Sequence, residues 1–149
     1  MLPILPLNLT SPKPKHFKYP AYIQTVGEEL RKERMDRNLS QHAVAEMMGV
    51  NKNMVHEIEL GKYGTTIYAL HKVYTFLGYV PTTLNIDITA LRGKLFAYRI
   101  RYGLTYAKLA HKIGLDKSTL TRFELGRIAK EETIEKIEQY LKTVYDEEL

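Results

Sequence analysis

The sequence predicts an all-α protein in which one small helical unit occurs twice in tandem. Three observations support this prediction: an internal repeat, capping residues that recur at matched positions, and apolar residues at helical spacing. The chain has 149 residues, of which 44% are apolar and 26% are charged. This length and composition suffice for two small buried cores but not for two large domains.

An internal repeat aligns residues 28–61 with residues 93–126 without a gap. Nine of the 34 aligned positions are identical, whereas this composition gives about two identities by chance. Many other positions pair similar residues, such as Val44 with Leu109. One structural unit is therefore present twice.

Capping residues divide each copy into helices. The first helix ends at Asn38 or Gly103, because Asn and Gly adopt the left-handed conformation of a helix C-terminus at low cost. Ser40 and Thr105 are good N-caps for a second helix. The same rules predict the end of the second helix at Gly49 and Gly114, the N-cap of the third at Asn51 and Asp116, and its end at Gly61 and Gly126.

Apolar residues at helical spacing indicate the buried face of each helix. In the third helices these are Val55 with Ile58, and Leu120 with Phe123. Two short helices that touch at a small Ala and are joined by a turn with a Gly form a helix-turn-helix arrangement. The predicted buried faces of the second and fourth helices comprise Val44, Ala45, Met48, Leu109, Ala110 and Ile113, and Ile67, Leu70, Val73, Leu77, Ile134, Ile137, Leu141 and Val144.

A recurring pattern of apolar, polar and glycine residues runs through the second and third helices of both copies. It comprises Leu39, Ser40, Gln41, Val44, Ala45, Met48, Gly49, Val50, Val55, Ile58, Glu59 and Gly61, and is matched again within Leu104–Gly126. This pattern resembles the phage-repressor and Cro-type (Xre-like) helix-turn-helix family. The resemblance implies two tandem lambda-repressor-like helix-turn-helix helical bundles. It also implies that the third helix of each lies in the DNA major groove while the second crosses the backbone.

The resemblance implies two structural ion pairs, in which an Arg of the first helix meets a Glu at the end of the third. The pairs are Arg34 with Glu59, and Arg99 with Glu124. A partly buried guanidinium–carboxylate pair explains both copies, so we favour this role over an acid–base or metal-binding device. We expect no catalytic residue among them.

The resemblance further assigns DNA contacts to the outer face of the third helix and to residues beside it. Arg122 is expected to donate two hydrogen bonds to one guanine. At most, Met54 can contact a thymine methyl group and Glu57 can accept a hydrogen bond from cytosine. Tyr106 stands where the first copy has Gln41. The expected DNA-binding residues are Gln41, Lys52, Asn53, His56, Glu57 and Lys62 in the first copy, and Lys117, Ser118, Thr119, Thr121, Arg122 and Arg127 in the second.

The segments outside the repeat set the domain boundaries. The N-terminal segment is basic and rich in proline, which indicates either a flexible arm that contacts DNA phosphates or a tail that is solvated or packed locally. In the segment that joins the two copies, apolar and polar residues alternate along the chain. This pattern fits an extended linker, which we favour, or a short edge strand. The predicted domains are a flexible basic tail at 1–20, a first unit at 21–79, a linker at 80–88 and a second unit at 89–149.

Charge distinguishes the two copies. Residues 28–65 contain six basic and seven acidic residues, whereas residues 93–130 contain nine basic and two acidic residues. Contacts from Lys and Arg to phosphates dominate DNA affinity. We therefore expect the second unit to bind DNA more strongly than the first.

Composition and spacing exclude several kinds of site. The chain contains no cysteine, which excludes disulfides, thiolate nucleophiles and Cys-based zinc sites. The five histidines show no HExxH spacing, so we expect no metal, no cofactor and no enzymatic activity. No apolar run is long enough to cross a membrane and no signal peptide is indicated, so we expect a cytoplasmic protein.

These observations favour a sequence-specific transcriptional regulator that binds double-stranded DNA. The alternative is a protein-interaction or antitoxin-like adaptor module that retains the repressor fold without binding DNA. The two units form an internal pseudo-dimer, or each chain pairs with another as a homodimer, and the sequence leaves both arrangements open. A steep salt dependence of DNA binding distinguishes the regulator from the adaptor.

Overall fold

The computed structural model describes residues 19–63 and 66–147. These residues form eight α-helices and no β-strand, which confirms the predicted all-α class. Most of the predicted tail at 1–20 lies outside the described residues. None of the helices in these ranges is long and apolar enough to cross a membrane. The helices are α1 (Val26–Asp36), α2 (Gln41–Met48), α3 (Lys52–Glu59), α4 (Ile67–Leu77), α5 (Leu91–Tyr102), α6 (Tyr106–Ile113), α7 (Lys117–Glu124) and α8 (Glu131–Glu147).

Side-chain caps begin most of the helices of the two helix-turn-helix motifs. The side chains of Ser40, Asn51 and Thr105 each accept a hydrogen bond from the backbone N–H three residues later, as predicted. Asp116 occupies the N-cap position of α7, as predicted, but its side chain makes no capping hydrogen bond. Asn38 follows α1 with a φ of 55°, the left-handed conformation expected of it.

Each unit closes around its own apolar core, with α1–α4 in the first unit and α5–α8 in the second. Helix α2 packs against α3 in the first unit, and α6 packs against α7 in the second. Burial of one large aliphatic side chain stabilises a fold by about 1.5–3 kcal/mol, so these residues carry most of the stability. The core centres are Leu30, Val44, Val55 and Val73 in the first unit, and Leu95, Leu109, Leu120 and Ile137 in the second.

Contacts between α4 and α5 join the two units. Leu70 on α4 and Ile100 on α5 are fully buried but belong to neither core. The Nδ1 of His71 donates to the carbonyl oxygen of Ile100 at 2.9 Å, because a carbonyl can only accept. Gly103 ends α5 with a φ of 65°, and a Cβ there would lie 2.9 Å from the ring of His71. Glycine at this position therefore allows the two units to approach.

The buried carboxylate of Glu29 anchors the linker to α1. Glu29 is only 3% exposed. Its oxygens accept hydrogen bonds from the backbone N–H of Thr82 at 2.9 Å, the hydroxyl of Thr82 at 2.5 Å and the backbone N–H of Thr83 at 3.0 Å. Thr82 begins a short 3₁₀ turn, Thr82–Leu84, where the linker was predicted. Lys94 takes the place of Glu29 in the second unit and is exposed, so this anchor belongs to the first unit.

Candidate nucleic-acid interface

The outer face of α7 carries the predicted reading residues of the second unit. Leu120 and Phe123 are buried in the core, and they fix how the helix is rotated about its axis. Lys117, Ser118 and Arg122 are exposed on the same eight-residue helix. This arrangement presents two cations and a hydroxyl at the surface of a helix that is held rigidly by its apolar side.

The threonines of α7 are less accessible than the charged residues. Thr119 and Thr121 are both partly buried. Thr121 also donates its hydroxyl to the backbone carbonyl one helical turn earlier at 2.7 Å. Because a hydroxyl has one proton to donate, Thr121 offers an incoming partner an acceptor in this conformation.

In the first unit, α3 presents a different surface. Lys52, Asn53 and His56 are exposed, and Glu57 is partly buried. Met54 is only 6% exposed and packs in the core, so the expected contact of Met54 with a thymine methyl is wrong. Its counterpart in the second unit is Thr119, which is polar and only partly buried, so the two third helices differ in shape as well as in charge.

The loops that follow the third helices also carry predicted phosphate contacts. Lys62 lies just after α3 and Arg127 just after α7, and both are exposed. The glycine before each of them has a positive φ, 76° at Gly61 and 92° at Gly126. The chain therefore turns in the same way in both units and places a cation at the same point of each loop.

A buried network surrounds Glu59 in the first unit. Arg34 donates Nε to Oε1 at 2.5 Å and Nη2 to Oε2 at 3.2 Å, which makes the pair bidentate. Arg31 donates Nε to Oε2 at 3.3 Å, and Gln41 donates Nε2 to Oε2 at 2.8 Å. Both oxygens of Glu59 are thus paired. The amide nitrogen of Gln41, a predicted DNA contact, is engaged within the protein.

The corresponding network around Glu124 in the second unit is smaller. Arg99 donates Nη1 to Oε1 of Glu124, and the hydroxyl of Tyr106 donates to the same oxygen at 3.0 Å. The guanidinium of Arg99 also lies 3.7 Å from the centre of the Tyr106 ring, a cation–π contact. Phe96 stands where the first unit has Arg31. As a result Oε2 of Glu124 is buried without a hydrogen-bond partner in the part of the chain described.

Burial dominates the protonation behaviour of this second network. Removal from water raises the pKa of Glu124, and the Arg99 charge and the Tyr106 hydrogen bond oppose that shift only in part. Burial, followed by the charge of Glu124, also raises the pKa of the Tyr106 phenol. The surroundings of the Arg99–Glu124 pair therefore disfavour the negative charge of the Glu124 carboxylate.

Arg92 is a positioning residue that the sequence patterns missed. It donates Nε to the carbonyl of Phe123 at 2.8 Å and Nη2 to the carbonyl of Arg127 at 3.1 Å. A cation at the Phe123 carbonyl is favourable because that carbonyl lies in the last turn of α7, whereas Arg127 lies in the loop that follows. Arg92 aligns with Gly27, one position outside the ungapped repeat. A Cβ on Gly27 would lie 2.1 Å from the carbonyl oxygen of Ile58. The first helix therefore meets the end of the third through a glycine in the first unit and through an arginine in the second.

The two units use their cations differently. In residues 28–63 of the first unit, four of the six basic residues form ion pairs, which leaves Lys52 and Lys62 as the two outside such pairs. In the second unit, Arg99 forms the buried pair described above, and a larger group of cations is exposed. That group is Lys94, Lys108, Lys112, Lys117, Arg122, Arg127 and Lys130.

Comparison with known proteins identifies the family. No curated protein and no solved structure gives a significant match to this chain. The family model described as helix-turn-helix matches residues 30–84 and residues 95–149, which together exceed half of the chain. This family is a DNA-binding regulatory domain family. The chain therefore belongs to the Xre-like, lambda-repressor-like helix-turn-helix family and carries two copies of its domain in tandem.

Proposed function

We propose that the protein is a sequence-specific transcriptional regulator that binds double-stranded DNA chiefly through α7. The single observation that carries this proposal is the outer face of α7, where Lys117, Ser118 and Arg122 are exposed above a fully buried apolar side. A helix of this kind enters the major groove, where arginine can donate two hydrogen bonds to one guanine. Residues at its first turn then lie near base edges.

Phosphate contacts complete the proposed interface. Arg127 and Lys130 follow α7 and are exposed, so they can neutralise the backbone on either side of the groove. In the first unit Lys52, Asn53 and Lys62 take the corresponding positions, with fewer accessible cations around them. The first unit then contributes weaker contacts and orients the second, either within one chain or across a homodimer.

The test begins with selection of the best-bound duplex from a random pool by the full chain. Affinity for that duplex is then measured at several salt concentrations, with Lys117→Ala, Arg127→Ala and, as the control, Lys142→Ala on the exposed surface of α8. Each lost phosphate contact lowers the slope of log K against log salt by about 0.9. We expect Arg127→Ala to lower the slope and Lys142→Ala to leave it unchanged.

A protein-interaction role is the second candidate, and the surface after α7 favours it. Ile128 is fully exposed and Leu125 largely so. A contiguous patch of large apolar residues at the surface marks a protein contact more often than a single exposed residue does. Selection that yields no preferred duplex, together with weak binding and a shallow salt dependence, would support the adaptor role and contradict the regulator.

A further inference from the structure

The loop that follows α7 holds Arg127 by both of its backbone groups. The Arg127 N–H donates to the carbonyl of Arg122 at 3.0 Å, and the Gly126 N–H donates to the carbonyl of Phe123 at 3.0 Å. Together with the left-handed φ of 92° at Gly126, these bonds are typical of a helix C-terminus that ends at a glycine. From α5, Nη2 of Arg92 donates to the carbonyl of Arg127 at 3.1 Å. The backbone of Arg127 is therefore tied to two helices.

The guanidinium of Arg92 joins this loop to the core of the second unit. Its Nε donates to the carbonyl of Phe123 at 2.8 Å, and its Cζ lies 5.1 Å from the centre of the Phe123 ring. Phe123 is only 4% exposed and packs in the core. Because the guanidinium is planar and carries several donors, one side chain bonds two separate carbonyls at once. Arg92 thus connects the loop to a residue that is itself held rigidly.

The first unit has the same helix end without this arginine. There, the Lys62 N–H donates to the carbonyl of Glu57 at 3.0 Å, which repeats the bond made by Arg127. Gly27 aligns with Arg92 and has no side chain to donate, and a Cβ at Gly27 would collide with the carbonyl of Ile58. The loop cation of the first unit therefore cannot be held in the way that Arg127 is.

The side chain of Arg127 is the exposed cation that this arrangement presents. A cation on a backbone that is already ordered loses less conformational entropy when it meets a phosphate, so it binds more tightly. We propose that Arg92 positions Arg127 for a DNA phosphate without contacting the phosphate itself, an inference that rests on the proposed function. Arg92 is then a positioning residue, and Arg127 makes the contact.

The same bonds connect the phosphate contact to base reading. Contacts to phosphates fix the register of a protein on DNA, whereas contacts to base edges read the sequence. The amide of Arg127 is bonded to the carbonyl of Arg122, the proposed reading arginine of α7. A phosphate held by Arg127 therefore also sets the place of Arg122 above the base pairs.

Two substitutions at Arg92 separate positioning from charge. Arg92→Lys keeps the positive charge but replaces the planar group with a single ammonium, which cannot bond both carbonyls in the same way. Arg92→Gln also removes the charge. We expect both variants to bind the selected duplex about fivefold more weakly than the parent. Binding is measured well below the melting temperature of each variant, so that unfolding does not count as lost affinity.

A double-mutant cycle with Arg127→Ala tests whether Arg92 acts through Arg127. Once Arg127 is removed, Arg92→Lys should change the affinity by less than about twofold, because the group that it positions is absent. Lys62→Ala is the matched control, since it removes the aligned cation of the first unit. In that background Arg92→Lys should keep its full effect of about fivefold.

Hydrogen exchange without DNA tests the hold on the loop directly. Loss of the bonds from Arg92 should make the Arg127 amide exchange about fivefold faster in Arg92→Lys. The amide of Lys62 should exchange as in the parent. Lys94→Gln, which removes an exposed cation from the same helix, should leave both amides unchanged.

Three results would overturn the inference while DNA binding stands. One is an equal loss of affinity from Arg92→Lys with and without Arg127, which means that Arg92 acts on DNA by another route. Another is full affinity in Arg92→Lys with a loss in Arg92→Gln, which means that charge alone matters. The third is unchanged exchange at Arg127. A parent chain that binds no duplex contradicts the proposed function and this role of Arg92 with it, and the exchange measurement then decides only whether Arg92 holds the loop.

Discussion

The two units share a fold but differ in what their charged residues do. In the first unit, Arg31 and Arg34 converge on Glu59, and Glu29 holds the linker, so charge is used to fix the structure. In the second unit, Arg99 alone pairs with Glu124, and many other cations remain at the surface. The comparison teaches that a repeated fold preserves its apolar core and one ion pair while its surface and its secondary contacts diverge.

Removal of the central arginine should separate the two networks most clearly. Arg99→Ala leaves Glu124 with one donor, Tyr106, and we expect it to lower the free energy of unfolding by about 3 kcal/mol. Arg34→Ala should cost less, about 2 kcal/mol, because Arg31 and Gln41 still compensate Glu59. Urea unfolding of both variants measures the difference.

The pH dependence of Arg99→Ala gives a second check. Burial raises the pKa of Glu124 above its ordinary value of 4.5, so the stability that this carboxyl contributes is complete below pH 4.5 and is lost as the pH rises through its pKa in the fold. Without Arg99 that pKa rises further. The deficit of the variant should therefore be largest near neutral pH and shrink on acidification. A deficit that is independent of pH would show that Glu124 is not the group left uncompensated.

Substitutions on the reading helices should show the functional side of the comparison. Arg122→Ala is expected to weaken specific binding by about 2 kcal/mol and to relax preference at one base pair, and Lys117→Ala to weaken it by about 1–2 kcal/mol. The matched changes Glu57→Ala and Lys52→Ala should do less, since fewer accessible cations surround α3. Titration of the selected duplex with all four variants at one salt concentration measures this. Larger losses from the α3 variants would reverse the assignment of the main reading helix.

The linker anchor offers a matched pair of substitutions at aligned positions. Glu29→Ala removes the acceptor of three hydrogen bonds from Thr82 and Thr83 and should cost about 1.5 kcal/mol. Lys94→Ala changes the aligned, exposed residue and should stay within about 0.5 kcal/mol of the parent. Thermal melts compare them directly. Similar losses from both would mean that Glu29 does not act through the linker.

The smallest expected effect concerns the contact between the units. Gly103→Asn introduces the residue that the first unit has at this position, and Asn tolerates the left-handed conformation. Its Cβ meets the ring of His71, however, so we expect a loss of about 1 kcal/mol. Gly114→Asn is the control, because it has a similar φ and open space around its Cβ, and it should cost less. Equal melting temperatures would show that the ring moves aside freely.

Much of the fold follows from local signals in the sequence. The N-caps at Ser40, Asn51 and Thr105 and the left-handed Asn38 mark helix boundaries through interactions within a few residues. The core residues follow from helical spacing for the same reason. Local signals cannot give contacts between units, such as His71 with Ile100, because those depend on how two finished surfaces meet.

The candidate site was predicted less completely, and each omission has a physical reason. Met54 lies four residues before Ile58 and so shares its buried face, which the placement of Met54 among the outward-facing residues overlooked. Arg92 lies just outside the aligned repeat, and its role depends on reaching the Phe123 carbonyl in the last turn of α7 and the Arg127 carbonyl in the loop beyond it. The unpaired oxygen of Glu124 arises only when the neighbours of a buried group are known in three dimensions.

Helix α4 of the first unit packs against α5 of the second, so the two units are in contact within one chain. A repressor dimer built from identical subunits has a two-fold axis, and its operator is palindromic to match. A single chain with Met54 buried in one third helix and Arg122 exposed on the other has no such axis. Under the proposed function, we expect a monomer to prefer a DNA site whose two halves differ in sequence, with the direction of the site set by the order of the units.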